Sequence, residues 1–229
     1  LTEESLKQAK NLLPSVLKQV FEKGKADGWE EKKLGDLKET NIIGLVRNAK
    51  QQSMNFSFEY VKMNNVTNDN RFTFNNITRV EANEKEVQKF RLVKGDFLFN
   101  TRNGFKLVGK SCIYDSDKEN VLYNNNLMRI RFKSGINPYF ILYQFSSPFL
   151  IKQLRNIKSG TTNVSAIYYH SLKDILLLVS SLDTQDKLVA YFNDVSEQAQ
   201  QTQSKLEEQL TYLKQLKSSI LSKAFKGEL

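Results

Sequence analysis

The chain has 229 residues, 40% of them hydrophobic, and its 34 Lys and Arg against 25 Asp and Glu give a net charge of +9. Its apolar runs are far shorter than the roughly 18 residues of a membrane span, and its single cysteine excludes an internal disulfide, so we expect a cytoplasmic protein. The length is sufficient for a sizeable core, and the positive charge favours a polyanionic partner such as a nucleic acid.

Residues 1–24 are predicted to form the end of a helix. Apolar side chains recur there at helical spacing, namely Leu13, Val16, Leu17, Val20 and Phe21. Gly24 closes the segment, and the polar residues that follow it are typical of a short linker.

The region between this helix and residue 183 is predicted to be rich in short strands joined by polar turns. Apolar and polar side chains alternate over residues 56–61, 71–74 and 127–132. Residues 138–153 are rich in Tyr, Phe, Leu and Ile and are predicted to form one helix that begins at Pro138. The predicted fold class is therefore α+β, a β-rich globular domain followed by a long C-terminal helix.

Residues 104–111 match the phosphate-loop pattern G-x-x-x-x-G-K-S/T. In a true phosphate loop a helix follows at once, so that its N-terminus faces the phosphates. Here residues 105–108 alternate like a strand and the residues after Ser111 favour β structure, so we interpret the match as fortuitous. The alternative, an ATP-dependent enzyme, would bind nucleotide and would lose that binding when Lys110 is replaced by Ala.

The sequence contains no recognisable catalytic machinery. His170 is the only histidine and Cys112 the only cysteine, which is too few for a zinc site. The stretch from Asn137 to Tyr139 lacks the second proline of the Asn-Pro-Pro-Tyr loop in which amino-methyltransferases hold a flipped base. We therefore expect a non-catalytic binding protein with no metal and no cofactor of its own.

The distribution of charge and amide groups favours DNA as the ligand. Residues 29–183 contain 23 Lys and Arg against 15 Asp and Glu, and residues 97–160 contain 10 against 3. Arg and Asn side chains can pair with base edges, whereas Lys and small hydroxyl groups suit phosphates. The candidate DNA-binding residues are Lys62, Asn64, Arg102, Asn103, Lys106, Lys110, Asn124, Asn125, Asn126, Lys158, Thr161 and Thr162.

Residues 184–229 predict one long amphipathic helix. Its charges balance, with six basic against six acidic residues, and Pro and Gly are absent until Gly227. An apolar stripe of this kind needs a second helix to cover it. The predicted helix–helix interface consists of Leu188, Phe192, Val195, Ala199, Leu206, Leu210, Leu213 and Ile220.

The two ends of the chain resemble each other at a constant offset of 204 residues. The matched pairs are Leu12 with Leu216, Ser15 with Ser219, Val16 with Ile220, Leu17 with Leu221, and Phe21 with Phe225. This repeat predicts that the chain contains the ends of two equivalent helices.

These pieces, in this order, resemble the specificity subunit of type I restriction-modification systems. The family's sequence features are matched at residues 28–37 (GWEEKKLGDL), 60–64 (YVKMN), 94–102 (KGDFLFNTR), 107–111 (LVGKS), 123–132 (YNNNLMRIRF), 137–140 (NPYF) and 159–163 (SGTTN). The sequence departs from the family before the long helix, where Ser180 and Ser181 stand in place of two prolines. That difference puts the rigidity of the junction in question.

The resemblance implies a division of labour along the chain. Residues 1–24 would be the end of a preceding conserved helix, residues 25–183 a target recognition domain that reads half of a bipartite DNA target, and residues 184–229 a conserved helix for spacing, dimerisation and subunit docking. The chain would be the C-terminal half of a two-domain subunit or a natural half-length form.

The resemblance also implies the partners. They are double-stranded DNA, modification (methyltransferase) subunits that carry S-adenosylmethionine, a restriction motor subunit, and a second helix from the same or a sister half-subunit. The alternative from another functional class is a helical adaptor whose α+β head binds protein, and such an adaptor would show no salt-dependent affinity for DNA.

Overall fold

The computed structural model describes residues 2–227. Its helices are α1 (Thr2–Ala26), α2 (Leu34–Leu37), α3 (Glu84–Phe90), α4 (Pro138–Phe145), α5 (Pro148–Asn156), α6 (Tyr169–Leu172) and α7 (Leu182–Lys226). Its strands are β1 (Glu30–Lys33), β2 (Lys38–Ile43), β3 (Phe58–Val61), β4 (Thr78–Val80), β5 (Asp96–Asn100), β6 (Arg102–Asn103), β7 (Ser111–Tyr114), β8 (Val121–Tyr123), β9 (Leu127–Phe132), β10 (Ser159–Gly160), β11 (Ser165–Ala166) and β12 (Leu176–Val179). The α+β class with a long C-terminal helix is confirmed.

The centre of the domain is a four-stranded antiparallel sheet in the order β2-β9-β5-β7. Because side chains alternate across a strand, Phe97 and Phe99 of β5 face the helices while Leu98 faces the other side. On that other side lies a smaller sheet, β4-β3-β8, in which β3 and β8 run parallel. The domain therefore has three layers, with α1, α4, α5 and α7 on one face of the central sheet.

Helices α1 and α7 form an antiparallel pair. Lys10 Nζ lies 3.3 Å from Glu207 Oε1, whereas the ring centroid of Phe21 lies 5.8 Å from that of Phe192. Leu17 of α1 is also fully buried in the core cluster, so the pair is anchored in the domain. Strands β1 and β12, which follow α1 and precede α7, pair with each other and connect the two helices at their base.

The side chain of Gln185 fixes the start of α7. It is fully buried and donates to the carbonyl oxygens of Gly135 (3.0 Å) and Ser180 (2.8 Å), while its Oε1 accepts from the backbone N–H of Asn137 (2.9 Å). Ser181 Oγ accepts from the N–H of Thr184 at 3.3 Å. The junction that lacks the two prolines is therefore held by hydrogen bonds.

The predicted single helix over residues 138–153 is wrong. Helix α4 ends at Phe145 and α5 begins at Pro148. A residue before proline is disfavoured in the helical conformation, and Ser147 is extended, with φ −77° and ψ 147°. Its Oγ accepts from the N–H of Leu150 at 3.3 Å and so caps α5.

Two predicted strands are also wrong. Residues 71–74 form no strand, and Phe72 makes only an isolated bridge to Val66. The aromatic side chains there pack edge-on against a strand instead, with the ring centroid of Phe72 5.1 Å from that of Tyr114. Residues 105–108, which alternate like a strand, lie in a turn instead, in which the N–H groups of Leu107 and Val108 donate to the carbonyl of Gly104 at 2.8 Å and 3.0 Å. The strand predicted at residues 56–61 is confirmed from Phe58 onward.

Within residues 2–227, none of the helices combines the length and the apolar character that crossing a bilayer requires.

Candidate nucleic-acid interface

Several strands terminate at one edge of the domain. Strands β2 and β5 end there and their antiparallel neighbours β9 and β7 begin there, because antiparallel register places these ends side by side. We call this edge the loop end and define it by the connecting residues. These are residues 44–47, 62–64, 101–110, 124–126 and 158–164.

A short hairpin is part of the loop end. Strands β10 and β11 pair with each other, and β11 also pairs with β6, so that Ala166 lies opposite Arg102 and Ser165 opposite Asn103. The N–H of Thr161 donates to the carbonyl of Val164 at 2.9 Å and closes the tip. The tip residues, Thr161 and Thr162 among them, are exposed. The structure therefore brings these threonines next to the predicted base-contacting residues of β6.

The turn over residues 104–110 lies against this hairpin. The N–H of Phe105 donates to the carbonyl of Thr162 at 3.0 Å, and Lys158 Nζ donates to the carbonyl of Phe105 at 2.7 Å. Lys106, the next residue, is exposed. Lys106 therefore projects from a turn that two contacts hold in place.

Lys110 and Lys158 are only partly accessible. Lys110 Nζ donates to the carbonyl of Val66 at 2.6 Å, as Lys158 Nζ does to that of Phe105. Burial lowers the pKa of Lys110, and burial followed by repulsion from Arg155 lowers the pKa of Lys158. Both ammonium groups thus have hydrogen bonds within the chain, and a phosphate contact would have to compete with those bonds. The strand β7, not a helix, follows Lys110, in contrast to a phosphate loop.

The asparagine cluster divides into a buried and an accessible part. Asn124 is 7% exposed. A Cβ added to Gly44 would lie 2.3 Å from the carbonyl oxygen of Asn124, so only glycine fits at position 44. Asn126 accepts at its carbonyl oxygen from the N–H (2.8 Å) and Oγ1 (3.0 Å) of Thr101. The side chains of Asn125 and Asn126 are half-buried. They remain candidates for base contacts, whereas Asn124 mainly holds the backbone.

The two remaining candidates lie at the end of β3. Lys62 Nζ donates to Gln52 Oε1 at 3.2 Å, and Asn64 is exposed. The backbone N–H of Asn124 donates to the carbonyl of Val61 at 2.9 Å and connects this strand to the asparagine turn. All twelve candidates therefore belong to the loop end, and contact of any one of them with DNA stays a prediction.

Within residues 97–160, the segment rich in basic residues, the acidic side chains lie away from the loop end. The acidic residues Asp115, Asp117 and Glu119 follow the far end of β7. Three basic residues of the segment are neutralised away from the loop end, Arg129 and Arg131 beside Asp96 and Lys118 beside Glu59. Among the described residues, by contrast, no carboxylate lies within 4.0 Å of the basic groups of Arg102, Lys106, Lys110, Lys152, Arg155 or Lys158.

Sequence reasoning missed part of this surface. Lys152 and Arg155 are exposed on α5, and the helix predicted to stop at residue 153 left Arg155 outside any element. Their spacing of three residues on one helix would have paired them if the end of α5 had been known. The segment after β2 was also missed: Leu45 bridges to Asn124, and Val46 next to it is 67% exposed.

Residues 2–227 contain no group of three or more His, Cys, Asp and Glu side chains arranged to hold a metal ion. His170 is exposed and stacks on Tyr168, with ring centroids 5.7 Å apart and an interplanar angle of 15°. Cys112 is buried in the central sheet, and that burial raises the pKa of its thiol well above the ordinary range.

The predicted helix–helix interface is covered only in part. Phe192 and Ala199 are buried, and Leu188, Val195, Leu206 and Leu210 are half-buried. Leu213 and Ile220 are 48% and 47% exposed. Every residue from Thr211 to Lys223 is exposed, so this part of α7 has no covering helix among residues 2–227.

A family model described as the type I restriction modification DNA specificity domain matches residues 26–212. Among curated proteins, the chain is similar to the type I restriction enzyme EcoKI specificity subunit of Escherichia coli, with 29% identity over 157 residues (68% of this chain, 34% of that protein). It is also similar to the StySPI specificity subunit of Salmonella potsdam, with 27% identity over 204 residues (88% and 43%). The chain spans less than half the length of the curated relatives that it matches.

Two solved structures show the same fold. One, from work on the "structural basis underlying complex assembly and conformational transition of the type I R-M system", superposes with a TM-score of 0.77 at 22% identity and covers all of this chain and 54% of that one. The other, the HsdS subunit from Thermoanaerobacter tengcongensis, gives a TM-score of 0.67 at 19% identity over the same shares.

Proposed function

The chain belongs to the family of type I restriction-modification DNA specificity domains, and on that premise we propose that it recognises one half of a bipartite DNA target and docks methyltransferase subunits. The observation that supports DNA recognition is the loop end. There, guanidinium, amide and hydroxyl groups that are exposed or half-buried lie at the ends of paired strands, and no described carboxylate lies within 4.0 Å of the basic groups of Arg102 and Lys106.

Two kinds of contact are expected at the loop end. A two-stranded ribbon such as β10–β11 is narrow enough for the major groove, and Arg102 next to it can donate two hydrogen bonds to a guanine edge. The amides of Asn125 and Asn126 suit an adenine edge in the same way. Lys106 suits a phosphate, and such contacts orient the protein without reading the sequence.

The long helix is proposed as the assembly surface. With 45 residues, α7 is about 68 Å long at 1.5 Å per residue, long enough to separate two recognition domains. The exposed part after Thr211 offers a surface for a second helix, from the same or a sister half-subunit, and for the modification subunits.

Methyl transfer from S-adenosylmethionine would then take place on those partner subunits, and cleavage would need the motor subunit. The division into residues 1–24, 25–183 and 184–229 is part of this proposal, as is a cytoplasmic location.

A binding titration tests the proposal. The chain is mixed with fluorescently labelled duplexes, with and without the modification subunits, at several salt concentrations. We expect the logarithm of the affinity to fall linearly with the logarithm of the salt concentration, and one preferred sequence once the modification subunits are present. A protein-binding adaptor would show neither property. Absence of any preferred duplex in the complete complex would contradict the proposal.

A further inference from the structure

Helix α5 presents two cations beside the loop end. Lys152 and Arg155 are exposed and lie three residues apart, so they share a face of the helix. No described carboxylate lies within 4.0 Å of either, in contrast to Lys118, which pairs with Glu59 at 2.8 Å. An exposed pair of uncompensated cations suits a polyanion.

The buried face of α5 fixes the position of these cations. Leu150 and Leu154 are 1% and 5% exposed and belong to the main core cluster. A Cβ added to Gly109 would lie 3.8 Å from Leu154 Cδ1, so the helix supports the turn that contains Lys106. The helix that carries Lys152 and Arg155 therefore packs against the turn that carries Lys106.

Helix α5 also leads directly into the hairpin. It ends at Asn156, and β10 begins at Ser159. Arg155 is close enough to Lys158 for their charges to repel each other. Arg155 and Lys152 thus lie three and six residues before Lys158, which stands at the base of the hairpin.

The ammonium groups of Lys110 and Lys158, unlike the exposed cations of α5, have hydrogen-bond partners within the chain. Each ammonium group donates to a backbone carbonyl, at 2.6 Å and 2.7 Å respectively, and each is partly buried. Contact with a phosphate would require either group to give up that bond. Their geometry suits holding the loops in place.

We propose, on the basis of the function proposed above, that Lys152 and Arg155 of α5 contact the phosphates of the DNA that the loop end recognises. Lys110 and Lys158 are then positioning residues, which hold the 104–110 turn against Val66 and the hairpin. The sequence alone suggested phosphate contacts for those two lysines, and their hydrogen bonds favour this reassignment.

The test compares Lys152→Gln, Arg155→Gln and the double variant with Lys133→Gln. Lys133 is an exposed lysine at the opposite end of the central sheet, with no described carboxylate within 4.0 Å, so it controls for net charge. Affinity is measured in complex with the modification subunits, on target and random duplexes, across salt concentrations. Each α5 substitution should lower the salt slope by about one unit. Raising the salt from about 50 to about 200 mM weakens binding of both proteins. The factor by which the affinity falls should be about 12 times smaller for the double variant than for the wild type. Lys133→Gln should match the wild type.

The positioning role is tested separately with Lys158→Met. It should leave the salt slope unchanged and lower the melting temperature. A slope reduced by one unit in a folded Lys158→Met variant would overturn that assignment.

If the wild-type complex prefers its target but the α5 double variant behaves like Lys133→Gln, this inference fails and the proposed function stands. If the wild-type complex has no preferred duplex, the proposed function itself fails.

Discussion

Asp96 is buried in the domain, and the guanidinium groups of the buried Arg129 and the partly exposed Arg131 lie beside it. It is 1% exposed, and Arg131 donates to its two oxygens at 2.6 Å and 3.1 Å, which raises the pKa of Arg131. Arg129, also buried, donates to the backbone carbonyl of Arg91 at 2.6 Å. One buried carboxylate thus compensates two cations, of which Arg129 is buried and Arg131 is 36% exposed. These two arginines contribute to the net charge of +9, but their role is structural.

Replacing Asp96 with Asn should destabilise the domain by about 3 kcal/mol or more, because removing one partner leaves buried charge uncompensated. The free energy of unfolding is measured by urea denaturation. Asp194→Asn, which removes an exposed carboxylate from α7, is the control and should leave the midpoint unchanged. Equal midpoints for the two variants would show that Asp96 is not required for this compensation.

Arg102 and Lys106 lie four residues apart at the loop end, and we expect them to act differently on DNA. Arg102→Ala should cost about 1–3 kcal/mol on the preferred target and little on random duplexes, because it removes a base contact. Lys106→Ala should weaken both duplexes by the same factor, because it removes a phosphate contact. The ratio of the two affinities is the measurement. Equal ratios for the two variants would exclude Arg102 as a base-reading residue.

At the scale of elements, the hairpin β10–β11 depends on one glycine. Gly160 has a φ of +104°, and a Cβ there would lie 2.4 Å from the carbonyl oxygen of Val164. Both the backbone conformation and the close approach therefore require glycine. Glycine at this position sets the path of the tip that carries Thr161 and Thr162.

Gly160→Ala should distort the hairpin tip and remove the preference for the target sequence while the rest of the domain stays folded. Gly135→Ala is a matched control, because Gly135 also has a positive φ of +85° but nothing lies within 4 Å of its added Cβ. Both variants should lose some stability to the strained backbone, about 1 kcal/mol or more. Target preference retained in Gly160→Ala would argue against a role of the hairpin in recognition.

The elements that sequence predicted well are those whose pattern is set by burial. Strand β9 has the predicted bounds, Leu127–Phe132, because its alternation matches two differently packed faces. Alternation misled at residues 71–74, where Phe72 and Phe74 pack against Tyr114 without strand pairing. The break before Pro148 was visible in the sequence, but the apolar residues on both sides favoured a continuous helix.

The candidate site was predictable in composition and not in arrangement. Polar and basic side chains marked the candidate loops in the sequence, but antiparallel register decides that Arg102 lies beside Ser165 and Ala166, more than sixty positions away in the chain. The burial of each side chain also could not be predicted from the sequence. Three consecutive asparagines look equivalent, yet Asn124 is buried while Asn125 and Asn126 are not.

At the scale of the whole molecule, the repeat between the two ends acquires a physical meaning. Leu17 and Phe21 of α1 are 0% and 5% exposed, and the ring centroid of Phe21 lies 5.6 Å from that of Phe140. The equivalent residues of α7, Leu221 and Phe225, are 48% and 89% exposed. The end of α7 therefore has the side chains that dock a helix onto such a domain, and no described residue covers them.

We expect these residues to drive association of the isolated chain. Burying Leu or Phe side chains contributes about 1.5–3 kcal/mol each, so two copies of the α7 end can stabilise a complex. Leu221→Asp combined with Phe225→Asp should yield a monomer whose domain stays folded, because both side chains are exposed in the single chain. Ser218→Asp with Ser222→Asp adds the same charge to exposed positions of the same helix and should leave association intact. Analytical ultracentrifugation measures the mass, and a wild-type chain that is monomeric at high concentration would contradict this expectation.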